Sequence, residues 1–364
     1  MTTRETAAPL VYVGTYTQSL PHVQAKAGGI DIYRLDMASG ALTYLSTCTG
    51  IANPSYVVLD AQGHHLYCVE ETAEGQVHAF SVDAATGALT PLNHHPSHGA
   101  EPCHLSLDRQ GRWVLVANYS SGSIAVLPIQ ADGSLGPATE HVQHRGGSVN
   151  PDRQEGPHAH WIYTDPANRF VLAVDLGQDA VLRYELDHAN GTLRRIETVA
   201  CTLPPGSGPR HLAFRPDGRF AYLLNELSST LSAYAYDANT GELRPLQSLS
   251  TLPPGFSGTN WTSAVRVSPS GRFVYASNRG HDSIAIFASD PATGYLSPVG
   301  HEPTQGKTPR DFNLDPTGTF LLAANQDSDS IVTFRVDGET GRLSPTGHVA
   351  EARTPVCVAF GPLL

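Results

Sequence analysis

Four residues in the middle of the chain, His160, Arg210, Glu226 and Arg279, bring together an imidazole, two guanidinium groups and a carboxylate. An imidazole of ordinary pKa, about 6.5, can give and take protons at neutral pH. Guanidinium forks stabilise an oxyanion and grip a carboxylate or phosphate through paired hydrogen bonds. A carboxylate beside them orients an arginine or a water. The set is a general acid/base with two cations and a carboxylate. His158, Arg153, Glu155, His211, Arg310 and His104 are the flanking candidates for holding a small anionic substrate. Each has a blander role open to it. A histidine is one of 17, usually a hydrogen-bonded packing group, and the arginines can be structural ion-pair partners of Glu226.

Residues so far apart meet only if the chain repeats around a common centre. A turn of the form Asp-x-x-(Thr/Ser/Asn)-Gly-x-Leu ends at Leu42, Leu89, Leu193, Leu243, Leu296 and Leu343, with a shortened copy, DGSL, ending at Leu135. Seven copies at a spacing of about 50 residues mark seven structural units. Each unit reads as strand A, a glycine hairpin turn, strand B, a short loop, strand C, the Asp-x-x-x-Gly turn and strand D. PRHLAFRPDGRFAYLLNE (Pro209–Glu226) supplies the clearest A–B pair. Four-stranded units repeated radially predict an all-β, seven-bladed propeller, and no sustained helical period competes with it. The N-terminal stretch provides B, C and D strands without an A strand, while PVCVAF (Pro355–Phe360) is an orphan A strand. The termini are therefore expected to share one blade, which removes two exposed sheet edges. The expected organisation is a tail over 1–9 and one propeller domain over 10–364.

Strand A is innermost, so the start of A and the end of B lie at one mouth of the central channel. The second residue of the A motif is Ser55, Cys103, His160, Arg210, Ser263, Arg310 and Val356 around the ring. Strand B ends on Glu71, Tyr119, Leu176, Glu226, Arg279 and Gln326. A bare scaffold repeats its residues, whereas these tips change charge from unit to unit, and that departure singles out the four residues above. The residues just before the B ends, among them Asn118, Asp175, Asn225, Asn278 and Asn325, are read as hydrogen-bonding the neighbouring backbone. The interval from Leu135 to Leu193 is the longest of the six, and its surplus, Glu140–Pro157, is a D–A loop on the same face, placed to lid the mouth.

Composition removes other classes. A net charge of −11 disfavours binding to nucleic-acid backbones. The 40% apolar content supports a core, and the 34 glycines and 27 prolines favour turns and strands. No apolar run reaches the roughly 20 residues of a membrane span, and the first nine residues do not resemble a signal peptide, so a soluble, cytoplasmic protein is expected. Five scattered cysteines without a CxxC pair read as reduced and buried. His158 and His160 at i, i+2 suit zinc, but no third ligand is evident, and neither metal nor other cofactor is expected. A GxSxG elbow, a P-loop and a strand-linked GxGxxG are all missing.

The motifs NPSY, EPCH, ANYSSGS, RQEGPHAH, DLGQD, GPRH, NEL, SNRG and TPR, in that order from Asn53 to Arg310, resemble those of the seven-bladed propeller lactonases. That family includes bacterial propeller-type 6-phosphogluconolactonases and fungal 3-carboxy-cis,cis-muconate lactonizing enzymes. The resemblance runs from about Leu10 to Leu364. It implies a site at the histidine of PHAH (His160), the arginine of GPRH (Arg210), the glutamate of NEL (Glu226) and the arginine of SNRG (Arg279). The implied activity is hydrolysis of a sugar lactone, most simply 6-phosphoglucono-δ-lactone. A carboxymuconate cycloisomerase and a non-catalytic docking propeller are the alternatives. Oligomeric state is left open between monomer and dimer.

Overall fold

The computed structural model describes residues 8–363 except residue 22; the first seven residues of the expected tail lie outside the described residues. Seven antiparallel sheets are arranged as the repeats require. Blade 1 is made of Pro355–Phe360, Leu10–Thr15, Gly29–Leu35 and Leu42–Thr49, in that order from inside to outside. Blades 2 to 7 follow along the chain, with inner strands Val57–Leu59, Pro102–Leu107, Ala159–Thr164, Pro209–Phe214, Trp261–Val267 and Pro309–Leu314. The closure is as expected: Val11 pairs with Phe360 and Val13 with Val358. The only helical turn among the described residues is a 3-10 segment, Gln326–Ser328.

The core is a set of apolar layers between successive blades. Trp113, Leu115 and Ile124 of blade 3 pack on Ile162, Val171 and Leu182 of blade 4. The same pattern recurs between blades 7 and 1, where Phe320 and Ile331 meet Val11 and Tyr33. Burying each such side chain stabilises the fold by about 1.5–3 kcal/mol.

The Asp-x-x-x-Gly turn explains itself in these layers. At Gly294 the backbone is left-handed (φ +74°), and a Cβ there would stand 2.2 Å from Phe220 Cδ1 on the preceding blade. Gly191 does the same against Trp113. Asp290 closes its turn by accepting the backbone N–H groups of Ala292 and Thr293. The repeated motif is thus an inter-blade clasp. One boundary differs from expectation: Glu140–Gln143, read as the beginning of the long D–A loop, is the outer strand of blade 3. Its EHVQ sequence lacks the apolar alternation of a strand because it lies on a half-exposed edge.

Candidate functional site

The side chains at the channel mouth are aimed by a repeated irregularity of the inner strands. In blade 4 Ala159 pairs with Asp175 and Trp161 with Val174, which leaves His160 as the extra residue of a β-bulge. The same step leaves out Arg210 in blade 5, Arg310 in blade 7, Cys103 in blade 3 and Val356 in blade 1. In blade 6 Ser263 and Ala264 fall in the gap. A bulge releases one residue from the ladder and turns its side chain. In these blades it turns a residue toward the axis, where neighbours touch: the Cys103 thiol faces the His160 carbonyl, Arg210 Nη1 donates to the Ser263 carbonyl, and Ser263 Oγ donates to the Arg310 carbonyl.

Glu226, at the end of its B strand, sits at the centre of a cluster of cations. Arg153 Nη2 donates to its Oε1 at 2.7 Å. Arg210 Nε and Arg279 Nη2 each approach Oε2 to 2.9 Å. The last two are ion pairs without aligned hydrogen bonds: Arg210 Nε–H misses the oxygen, and Arg279 Nη2 gives its proton to the Thr262 carbonyl. Burial by itself would raise the Glu226 pKa, but Arg279, Arg210 and Arg153 outweigh it and hold the carboxyl well below the usual carboxylate range. Arg210 and Arg279 pay for this crowding: burial presses both guanidinium groups below their ordinary values, with Glu226 opposing and the neighbouring arginines adding to the effect.

A second carboxylate lies across the mouth. Glu71 accepts from Tyr16 Oη at 2.9 Å and from Ser55 Oγ, and Arg310 Nη2 donates to Tyr16 Oη at 2.9 Å. Burial raises the Glu71 carboxyl, against the pull of Arg310.

His160 is 5% exposed, and among the described residues its buried Nδ1 has no hydrogen-bond partner. Burial, then Arg210, push its pKa well below the ordinary histidine range, with Glu226 opposing, so the ring stands neutral at neutral pH. Tyr119 meets it edge-on at 5.5 Å and stacks on His158 at 4.6 Å.

The sequence candidates fall into three groups. His160, Arg210, Glu226, Arg279 and Arg153 are brought together, with Arg310 on the same rim. His158 and Glu155 belong to the wall: His158 Nδ1 faces the Tyr119 carbonyl and Nε2 the Glu155 carboxylate, each at 3.1 Å, so the pair His158/His160 does not converge on a common point. His211 and His104 lie deeper. Arg210 Nη1 donates to His211 Nε2 at 3.1 Å, and the rings continue down the axis, His160 to His211 at 5.4 Å and His211 to His104 at 5.7 Å. Tyr119, whose oxygen accepts from Arg153 Nη2 at 3.1 Å, and Glu71 were not among the candidates. Both occupy the B-end position that also gave Glu226, and that shared post was the available signal.

The long loop does reach the mouth. His144 anchors its start through Asp175 at 2.7 Å, and the Gln154 side chain donates to the Leu176 carbonyl, so Arg153 projects from a fixed base. Asn118, Asn278 and Asn325 donate to backbone carbonyls, of Ser97, Thr251 and Thr304, as expected, whereas Asn225 donates to the Thr230 and Ser232 hydroxyls instead. Among the described residues no group of three His, Cys, Asp or Glu side chains is arranged to hold a metal ion.

The profile of the family described as lactonase, 7-bladed beta-propeller, matches residues 10–360. The chain belongs to the seven-bladed β-propeller lactonases. A 6-phosphogluconolactonase of Bacillus subtilis is 40% identical over 305 residues, covering 84% of each chain. One from Formosa agariphila is 34% identical over 312 residues, 84% of this chain and 86% of its own. In three dimensions the chain is similar to the periplasmic gluconolactonase of Pseudomonas aeruginosa, with a TM-score of 0.91 at 34% identity, over 98% of this chain and 100% of that one. No helix of this lactonase-family chain is long and apolar enough to cross a membrane among the described residues.

Proposed function

We propose that the chain hydrolyses 6-phosphoglucono-δ-lactone to 6-phosphogluconate, the lactone step of the pentose phosphate pathway. One observation carries the choice of a phosphorylated substrate: at the mouth the four guanidinium groups of Arg153, Arg210, Arg279 and Arg310 stand against the two carboxylates of Glu71 and Glu226. Four cations converging on two buried carboxylates leave guanidinium donors for a phosphate monoester, which carries about −1.5 to −2 at neutral pH. In an acidic protein this local field is what draws a dianion in.

In this reading neutral His160 takes the proton of the attacking water as it bonds to the lactone carbonyl, then returns it to the ring oxygen as the C–O bond breaks. A bound dianion raises the His160 pKa again and so strengthens it as a base. Arg210 and Arg279 stabilise the carbonyl oxygen as it gains charge, while Arg153 and Arg310 hold the phosphate. Glu226 stays ionised throughout and fixes the arginine forks.

The test is a spectrophotometric assay with the phosphorylated and unphosphorylated lactones, corrected for spontaneous hydrolysis. The phosphorylated lactone is expected to give the higher kcat/KM, and His160→Gln to lose about 10²–10⁴ in kcat at unchanged melting temperature. Equal kcat/KM for the two lactones overturns the phosphate assignment. Full activity of the variant removes His160 from the base role.

A further inference from the structure

The other half of the channel holds a cavity of about 560 Å³ that shares no residue with the charged mouth. It opens between the A–B turns, at Asp60, Arg109 and Pro316, and the imidazole layer of His211 and His104 separates it from His160. Its volume is that of a small-molecule site.

The polar groups at its head are donors. Ile162 N–H donates to His104 Nδ1 at 3.3 Å, which places the His104 proton on Nε2, and among the described residues no hydrogen-bond acceptor meets it. Arg266 commits Nη1 to the Val265 carbonyl and pairs Nη2 with Asp311 Oδ1 at 2.9 Å, and the Tyr56 hydroxyl lies beside its fork. At the opening Arg109 has no carboxylate partner, whereas Asp60 is engaged by His65 Nδ1 at 2.8 Å. The walls between are apolar or aromatic, with Trp161 stacked on Tyr163 at 5.5 Å and Leu212 and Phe214 beside them. Asp311 neutralises Arg266, so the head offers hydrogen-bond donors, with the positive charge of Arg109 at the opening and an apolar body between. A phosphate dianion finds too little charge here, and a cation finds no free acceptor of its own.

We propose that this cavity is a second binding site, for a small organic carboxylate with an apolar or planar body, its carboxylate toward Arg266 and His104 and its body against Trp161. The site is independent of the lactone chemistry at the opposite mouth.

Isothermal titration of the full chain with sodium benzoate tests it. Saturable binding with Kd of about 1 mM or tighter is expected. Arg266→Gln, at the head, weakens it about tenfold or more, Arg109→Ala, at the opening, weakens it far less, and Leu212→Trp, which fills the cavity, abolishes it. Arg153→Ala, at the charged mouth, leaves it unchanged. Absence of saturable binding up to about 10 mM overturns the proposal. So does loss of binding in Arg153→Ala with retention in Arg266→Gln, which puts the carboxylate at the other mouth.

Discussion

Replacing Glu226 by glutamine isolates the electrostatic design of the mouth. The substitution keeps the shape and removes the charge that Arg153, Arg210 and Arg279 share at 2.7, 2.9 and 2.9 Å. Arg210 and Arg279 are buried, so they lose their partner in a place where water cannot replace it. Breaking a buried pair costs about 3–5 kcal/mol, and the lower end applies here because Arg153 is 32% exposed and can turn to solvent. For a chain of this size that corresponds to a fall in Tm of about 5 °C. Inorganic phosphate should then restore more stability to the variant than to the parent, since the orphaned guanidinium groups bind an anion in place of the carboxylate. Differential scanning fluorimetry across a phosphate series reads both effects. An unchanged Tm in Glu226→Gln, or an identical phosphate response in the two proteins, would refute the view of Glu226 as the counter-charge of the cluster.

Three further outcomes are expected. Arg153→Ala, on the loop and partly exposed, should raise KM for the phosphorylated lactone about tenfold or more and leave KM for the unphosphorylated lactone nearly unchanged, a split that steady-state kinetics resolves. Burial pushes His104, His160 and His211 well below the ordinary range, so below about pH 6.5 the unfolded chain binds protons that the folded chain refuses. Stability must therefore fall as pH drops from 7.5 to 5.5, by up to about 1.4 kcal/mol per pH unit for each histidine, and a flat melting temperature over that window would contradict it. Gly294→Ala forces a Cβ into Phe220 at a left-handed position and should cost about 2–4 kcal/mol in chemical denaturation, whereas Gly338→Ala, with open space around it, should cost far less.

The architecture was legible in the sequence because the constraint that builds it recurs. The Asp-x-x-x-Gly turn appears in each unit for one reason, the aromatic or other bulky side chain on the blade before it. The orphan strand Pro355–Phe360 announced the closure by lacking a partner of its own. The ring of second residues was legible for the same reason, since alignment places Cys103, His160, Arg210 and Arg310 at one post. Alignment shows that a position is equivalent but not that the backbone bulges there, so how these side chains reach the axis was hidden. It was equally silent on reach: that Arg153 spans to Glu226, 73 residues away, depends on the anchoring of its loop by His144 and Gln154. His104 and His211 each lie one residue beyond the bulge, and that single step sets them deeper in the channel than the residues at the post, where they form the imidazole layer.

The bulge also separates two tasks that most strands perform with the same residues. A side chain outside the ladder contributes little to pairing, which is why serine, cysteine, histidine, arginine and valine can all stand at that post in one molecule. The hub behaves as a socket board whose pins are exchanged without rebuilding the frame. New specificities are therefore best sought by varying these posts together, because each substitution alters the field at the axis and leaves the hydrogen-bonded sheets as they were.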